Sequence, residues 1–190
     1  MSELSRIVVV GASLAGIRTA EFLRRARFEG ELVLIGDEPH LPYDRPPLSK
    51  EVLRGEWEPE RIALRRKSYD ELRLELMLGR RAVGLDTGSR EVALDDGARV
   101  PFEGLVIATG GQARKLPNQP ELEGVHTLRT LDDSLALRTA FARKPRVAVI
   151  GAGFIGAEVA ASARMLGLEV TMIEALQTPL AQSLGPRLGE

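Results

Sequence analysis

Two stretches of the chain have the glycine spacing that binds a phosphate group. Residues 7–16 read Ile-Val-Val-Val-Gly-Ala-Ser-Leu-Ala-Gly, and residues 147–156 read Val-Ala-Val-Ile-Gly-Ala-Gly-Phe-Ile-Gly. In such a turn the first glycine permits a tight bend, the middle position lets the backbone approach a pyrophosphate, and the third glycine lets a helix pack closely on its strand. The helix N-terminus then favours the phosphate charge. Two such stretches predict two nucleotide sites.

An acidic residue follows each glycine turn where a ribose hydroxyl is expected. Asp37 and Glu38 follow the predicted strand Leu32–Ile35, and Glu174 follows the predicted strand Val170–Ile173. An acid at this position accepts hydrogen bonds from the ribose hydroxyls of NAD and repels the additional phosphate of NADP. Neither Arg nor Lys occurs at residues 175–182 to receive that phosphate. The second stretch therefore predicts binding of NADH rather than NADPH.

The first stretch departs from the pattern at Ser13, where glycine is the usual residue. The serine side chain narrows the approach of a phosphate, although its hydroxyl can donate a hydrogen bond instead. Short glycine motifs also occur without any ligand. A strand–helix–strand unit that binds nothing is therefore the alternative for this part of the chain.

The elements that position these residues are predicted to be strands and helices of an α/β fold. Ile7–Val10 has the continuous apolar character of a parallel strand that is buried on both faces. Alternating residues from Leu74 onward, with a turn at residues 95–97, predict a small antiparallel meander. Residues 104–111 predict a buried strand that ends in small residues, and Leu131–Ala142 predicts a helix.

The composition excludes several classes of function. The chain has 190 residues, no Cys, two His and a formal net charge of −1. The absence of cysteine excludes disulfides, thiolate metal sites and a dithiol redox centre. The small net charge gives no electrostatic reason to expect nucleic acid or an anionic membrane as a partner. The apolar run at residues 7–10 is too short for a signal peptide or a membrane span, so we expect a cytoplasmic protein. Two His are too few for most metal sites, so we expect no metal.

Residues 42–50, Pro-Tyr-Asp-Arg-Pro-Pro-Leu-Ser-Lys, add a more specific signal. By themselves they predict a helix that starts at Pro47 with a solvated Lys50 in its first turn. With the preceding acid, they resemble the FAD-dependent ferredoxin reductases of bacterial oxygenases and cytochromes P450, in the pyridine nucleotide-disulfide oxidoreductase superfamily. The wider class includes rubredoxin reductases and apoptosis-inducing factor. The resemblance extends over essentially the whole chain.

The resemblance implies a Rossmann-like FAD-binding domain at residues 1–111, with a parallel sheet and an antiparallel meander. Residues 112–190 would then begin a Rossmann-like NAD-binding domain, with residues 117–120 as a linker. Members of the family continue for about as much chain again beyond the position of Glu190. We therefore expect an N-terminal portion of the family fold that turns over poorly by itself.

The activity implied by the resemblance is electron transfer from NADH through FAD to a [2Fe–2S] ferredoxin. In the family, the lysine matching Lys50 lies near the reactive edge of the flavin. The acid matching Glu158 lies where nicotinamide and flavin meet, and it is often paired with that lysine. These two residues are the expected catalytic residues. Because the chain has no cysteine pair, electrons would leave the flavin directly for an external acceptor.

The remaining site residues are expected to contact a cofactor. For FAD they are Gly11, Ser13, Leu14, Ala15, Gly16, Asp37, Glu38, Arg45, Pro46, Lys50, Val83, Ala108, Thr109, Gly110 and Arg129. For NADH they are Gly151, Gly153, Phe154, Ile155, Gly156, Glu158 and Glu174. Two alternatives stay open: a nucleotide-binding remnant without turnover, and an NADH oxidoreductase of the rubredoxin-reductase or apoptosis-inducing-factor type.

Overall fold

The computed structural model describes residues 4–118 and 122–185. The chain divides into two compact units. Unit 1 comprises residues 1–44 and 63–111, and unit 2 comprises residues 45–62 and 112–190. Part of the predicted linker at residues 117–120, and Glu190, lie outside the described residues. Which cofactor each part of the chain binds stays a prediction.

Unit 1 alternates strands and a helix, as its apolar pattern predicts. Its helices are α1 (Leu14–Arg25) and a short 3₁₀ helix at Tyr69–Leu72. Its strands are β1 (Arg6–Val10), β2 (Glu31–Gly36), β3 (Leu74–Leu78), β4 (Ala82–Asp86), β5 (Glu91–Leu94), β6 (Arg99–Pro101) and β7 (Gly104–Ile107). A parallel sheet has the order β3-β2-β1-β7, and an antiparallel sheet has the order β4-β5-β6. The central strands β1 and β2 supply the buried core, including Val8, Val9, Val33 and Leu34.

Two details of the predicted strands are wrong, and both concern strands at the ends of the parallel sheet. Leu74–Leu78 pairs with β2 in the parallel sheet and is not part of the meander. A strand at the end of a sheet can carry alternating polar residues, because a residue such as Glu75 is exposed and pairs with Arg6. Strand β7 is only partly buried and ends at Ile107, because it lies at the other end of the sheet.

Unit 2 contains a parallel pair of strands with helices packed on it. Its elements are α2 (Leu131–Ala142), β8 (Val147–Ile150), α3 (Phe154–Met165), β9 (Val170–Ile173) and α4 (Ala181–Leu184), with short 3₁₀ helices at Pro46–Ser49 and Pro59–Ile62. The bounds of α2 match the prediction, and Thr130 and Asp133 form a capping box at its start. Leu53 is fully buried in one cluster with Leu137, Phe141 and Val149. This packing is why residues 45–62 belong to unit 2.

The chain around Lys50 differs from the predicted helix. Pro46–Ser49 forms a 3₁₀ helix, and the Lys50 N–H donates to the carbonyl of Pro47 at 3.0 Å. Lys50 therefore follows the end of a short 3₁₀ turn and does not lie in the first turn of an α-helix. The two prolines supply no N–H, and the tighter turn closes on the next available donors.

Candidate nucleotide-binding sites

The glycine turn of unit 1 requires glycine on steric grounds at two positions. Gly11 has φ +118°, and a Cβ atom there would lie 2.1 Å from the carbonyl oxygen of Ala108. A Cβ atom on Gly16 would lie 1.9 Å from the carbonyl oxygen of Gly11. The turn is thus closed by the segment after β7 and by the first turn of α1. The positive φ of Gly11 gives the tight bend that the motif predicts, and the contact at Gly16 gives the predicted close packing of the helix. The close approach of Ala108 to Gly11 is an additional constraint.

The helix N-terminus of this turn is open to a ligand. Ser13 is the N-cap residue of α1, and Leu14 and Ala15, the first residues of the helix, are exposed. The first N–H groups of a helix have no partner within the helix and point out of its end. Thr109 and Gly110 follow β7 and are exposed too. The predicted flavin residues of these two segments therefore meet at the carboxyl edge of the parallel sheet.

The two acids after β2 have different surroundings. Asp37 is exposed, and its Oδ2 atom lies 3.5 Å from Arg81 Nη2. Glu38 is half-buried and accepts a hydrogen bond from the hydroxyl of the buried Tyr43. Of the two carboxylates, Asp37 is therefore the more accessible to a ribose. Tyr43 is a residue that the sequence analysis did not assign to the site, although it belongs to the motif at residues 42–50.

Val83 lies where the antiparallel sheet is irregular. The register between β4 and β5 shifts between Ala82 and Gly84, so that Val83 has no opposite residue in the ladder. Its side chain is largely exposed. A bulge leaves backbone groups of the bulged residue outside the regular ladder. This geometry leaves the Val83 backbone accessible, and its contact with FAD stays a prediction.

The glycine turn of unit 2 has the same bend but more open surroundings. Gly151 has φ +97°, and a Cβ atom on Gly156 would lie 2.0 Å from the carbonyl oxygen of Gly151. A Cβ atom on Gly153 would have nothing within 4 Å among the described residues. Phe154 and Ile155 begin α3 and are exposed. The middle position of the turn is therefore accessible, as a backbone contact with a pyrophosphate requires.

Glu174 folds back from the end of β9 onto this turn. One carboxylate oxygen accepts the N–H of Ala152 at 2.6 Å, and the other accepts the N–H of Leu176 at 2.9 Å. The hydrogen bond from Leu176, followed by that from Ala152, lowers the pKa of Glu174. The carboxylate therefore stays charged near neutral pH and lies beside the glycine turn, where a ribose acceptor is expected.

The pairing of Lys50 with Glu158 is confirmed. Lys50 Nζ lies 3.0 Å from Glu158 Oε2, and Ser49 Oγ donates to the same oxygen at 2.5 Å. The hydrogen bond from Ser49 is the main cause that lowers the pKa of Glu158, and Lys50 acts in the same direction. The pair joins the turn after Pro46–Ser49 to helix α3. Its catalytic role stays a prediction.

Two arginines of unit 2 complete the predicted flavin residues. Arg45 Nη1 donates to the carbonyl oxygen of Arg129 at 2.6 Å, and Pro46 beside Arg45 is exposed. The Nε atom of Arg129 is buried without a hydrogen-bond partner among the described residues. A buried guanidinium N–H usually has an acceptor. This donor is available to a polar or anionic group, and Arg45 lies beside Arg129. The contact of these two residues with FAD stays a prediction.

Ser49 is the residue of this cluster that the sequence analysis missed. The only available signal was its place before Lys50 in the motif at residues 42–50. Ser162, four residues after Glu158 on the same helix, donates to the carbonyl of Ser49 at 2.6 Å. Its spacing from Glu158 places both side chains on one face of α3. That spacing could have identified Ser162 as a neighbour of the pair.

No helix among residues 4–118 and 122–185 is both long enough and apolar enough to cross a membrane. Within the same ranges, no cluster of three or more His, Cys, Asp or Glu side chains could hold a metal ion.

Comparison with known proteins identifies relatives across the chain. The chlorobenzene dioxygenase ferredoxin reductase component of Cupriavidus sp. (strain PS12) is 43% identical over 187 residues, which cover 97% of this chain and 45% of that protein. Rhodocoxin reductase of Rhodococcus erythropolis is 43% identical over 180 residues, which cover 94% of this chain and 42% of the relative. The chain thus spans less than half the length of these relatives.

Solved structures give the same result for the fold. Putidaredoxin reductase, in its covalent complex with putidaredoxin, has a TM-score of 0.89 at 32% identity, covering 97% of this chain and 46% of that one. NADH:rubredoxin oxidoreductase from Clostridium acetobutylicum has a TM-score of 0.84 at 26% identity, covering 97% and 48%. The family described as Pyridine nucleotide-disulphide oxidoreductase matches residues 5–190. The match covers almost the whole chain, so the chain belongs to the pyridine nucleotide-disulphide oxidoreductase family.

Proposed function

We propose that the chain supplies FAD-binding and NADH-binding elements of a reductase that passes electrons from NADH through FAD to a [2Fe–2S] ferredoxin. The observation that carries this proposal is the pair of Lys50 and Glu158 at 3.0 Å, next to the open glycine turn that begins α3. A charged lysine beside a reducible ring favours negative charge on that ring. When bound, FAD supplies the redox chemistry, because it accepts a hydride from NADH and releases electrons one at a time.

The chain's own residues would bind and orient the two cofactors. In unit 1, the N-terminus of α1 after Gly11 would bind the FAD pyrophosphate, Asp37 the ribose and Val83 the adenine. Glu38 is proposed to act with Asp37, held in place by Tyr43. The segment Ala108, Thr109 and Gly110 would contact the flavin. We take these residues as FAD ligands because the carboxyl edge of a parallel sheet is where such ligands bind.

In unit 2, the buried Nε of Arg129 would donate a hydrogen bond to the flavin. Arg45, which is followed by Pro46, lies beside Arg129, and both residues would contact the flavin. The N-terminus of α3 would bind the NADH pyrophosphate, with Gly153 leaving room for it. Glu174 would accept hydrogen bonds from the adenine ribose. Its negative charge would repel the additional phosphate of NADPH, which favours NADH.

The acceptor is proposed from the relatives. Several of those that cover the chain at 43% identity are ferredoxin reductase components of dioxygenase systems. The rubredoxin-linked structure is more distant, at 26% identity. We therefore favour a ferredoxin-type iron–sulfur protein over a rubredoxin as the acceptor, and we propose the cytoplasm as the place of reaction. A nucleotide-binding protein without turnover is the competing function.

The test is a spectrum of the purified 190-residue chain after reconstitution with FAD and gel filtration. We expect the flavin to be only weakly retained, in keeping with the poor turnover predicted for this portion of the family fold. The band that remains should be bleached slowly by NADH under anaerobic conditions and far more slowly by NADPH. Retained flavin without bleaching would favour the nucleotide-binding protein. A colourless chain that also fails to bind NADH in calorimetry would contradict the proposal. Lys50→Met is the matched variant, and it should keep the flavin but slow the bleaching.

A further inference from the structure

We propose that Ser49 is a positioning residue for the ion pair of Lys50 and Glu158. Its hydroxyl would hold the Glu158 carboxylate in the place where Lys50 meets it. The inference rests on the proposed function for the role of the pair. The geometry of the hydrogen bond is independent of that function.

The three side chains differ in burial, and that difference separates their roles. The side chains of Lys50 and Glu158 are 32% and 38% exposed, whereas Ser49 is only 5% exposed. A partly exposed ion pair holds its geometry weakly, because water competes for both charges and the long side chains lose entropy. A short bond from a buried hydroxyl to a carboxylate is stronger and more directional. Ser49 is therefore the group best placed to restrict the carboxylate.

Ser49 is itself fixed by two buried serines. Ser162 donates to the carbonyl of Ser49 at 2.6 Å, and Ser134 donates to the carbonyl of Leu48 at 2.7 Å. Both serines are almost fully buried. Helix α3 therefore contacts Ser49 twice, through Glu158 as acceptor and through Ser162 as donor. These two contacts tie the residue before Lys50 to the helix that carries its partner.

The shared oxygen makes the arrangement sensitive to protonation. Ser49 and Lys50 both approach Oε2 of Glu158. The bond from Ser49 stabilises the ionised carboxylate, and it is the largest cause that lowers the pKa of Glu158. Without the hydroxyl, Lys50 alone would oppose the cost of partial burial. The carboxylate would then be both less fixed and easier to protonate.

The experiment measures the pKa of Glu158 directly, in the full chain without flavin. A ¹³C NMR titration follows the side-chain carboxyl, assigned by its loss in Glu158→Gln. Ser49→Ala should raise this pKa, and Ser49→Thr, which keeps the hydroxyl, should lower it again toward that of the unaltered chain. Ser134→Ala is the matched control, because it deletes an equally buried hydroxyl that bonds to a backbone carbonyl. It should lower the thermal midpoint yet leave the pKa of Glu158 unchanged.

A second readout uses the chain loaded with FAD. Ser49→Ala should slow anaerobic bleaching by NADH about threefold to tenfold at saturating NADH, without changing the affinity for NADH. Ser49→Thr should recover the rate. A change in NADH affinity with an unchanged rate would overturn the positioning role, because Ser49 would then act on binding.

Three results separate the possibilities. An equal pKa change in Ser49→Ala and Ser134→Ala would overturn the proposal, since general loosening of the turn would explain both. If Ser49→Ala fails to fold, the test is the rate at which the hydroxyl proton of Ser49 exchanges with water in the unaltered chain. If this proton exchanges slowly with water and the slow exchange is lost when Glu158 is protonated, the hydrogen bond is supported. If the proton exchanges rapidly at every pH, the proposal is overturned. A pKa change in Ser49→Ala in a chain whose flavin NADH does not bleach would support the positioning of Glu158 and contradict the proposed function.

Discussion

The two glycine turns share a motif but have different neighbours. In unit 1, strand β1 lies between β2 and β7, and the segment after β7 comes within 2.1 Å of the place where a Cβ atom of Gly11 would stand. In unit 2, strand β8 pairs with β9 alone among the described residues, and a Cβ atom on Gly151 would have no neighbour within 4 Å there. The local bend is the same, yet in the part of the chain that the structure describes only the first turn is closed by a third strand.

This comparison separates two reasons why a turn requires glycine. The positive φ of Gly11 and Gly151 disfavours any side chain, because an L-residue places its Cβ too close to the following carbonyl. At Gly11, packing adds a second and larger cost. The same substitution should therefore have unequal effects in the two units, and the following predictions test that inequality.

The largest effect is expected for Gly11→Ala. The new methyl group would overlap the carbonyl of Ala108, so that β1 and β7 would have to separate, at a cost of about 3–5 kcal/mol. Gly151→Ala should cost only about 1–2 kcal/mol, from backbone strain. Urea denaturation measures both. The fluorescence of the two tyrosines, Tyr43 and Tyr69, reports on unit 1, and that of Trp57, the only tryptophan, reports on unit 2. Equal losses would contradict the steric argument.

The acids at the ends of the second strands extend the comparison. Glu174 contacts the N–H of Ala152 within its own glycine turn, whereas Asp37 lies near Arg81 of a different segment. Under the proposed function, Glu174→Ala should weaken NADH binding about tenfold to hundredfold, because charged hydrogen bonds to the ribose are lost. FAD retention should not change. Calorimetry with NADH measures the first effect and the flavin absorption the second. Equal use of NADPH by the unaltered chain would show that Glu174 does not select the cofactor.

Much of the fold follows from sequence pattern, because short-range rules govern it. The turns at Gly11 and Gly151, the cap at Thr130 and the strand Val147–Ile150 depend on residues within one element and its ends. The placement of residues 45–62 in unit 2 could not be derived in this way. It depends on Leu53 packing against residues far along the chain. A local pattern records that Leu53 is apolar but not which core it joins.

The candidate site shows the same limit. The pairing of Lys50 with Glu158 came from resemblance to a family, not from periodicity. The role of Ser49 depends on the 3₁₀ form of Pro46–Ser49, which turns its hydroxyl toward Glu158. The sequence predicts a helix start there but not the tighter turn. The contact between Ser49 and Glu158 could therefore not be predicted from the sequence pattern.

A smaller effect is expected from pH in unit 2. Because the pKa of Glu158 is lowered from its ordinary value of 4.5, the ionised carboxylate stabilises the fold above that value, and this contribution is lost as the pH falls through the lowered pKa. Glu158→Gln should therefore lower the thermal midpoint at pH 7 but have little effect at a pH below the lowered pKa of Glu158. Trp57 fluorescence during heating at several pH values measures this. If Glu158→Gln lowered the thermal midpoint by the same amount at every pH, the charge of Glu158 would not be the cause.

The smallest effect on stability is expected when the second turn is made to resemble the first. Ser13 occupies the middle position of the unit 1 turn, and Gly153 occupies it in unit 2. Gly153 has an ordinary φ of −79° and open space around it, so Gly153→Ser should change the free energy of unfolding by less than about 0.5 kcal/mol. Its Cβ atom would nevertheless enter the space proposed for the NADH pyrophosphate. We therefore expect NADH affinity to fall severalfold while Trp57 reports an unchanged unfolding midpoint. Unchanged affinity would show that no phosphate approaches this position, and the open turn of unit 2 would then need another explanation.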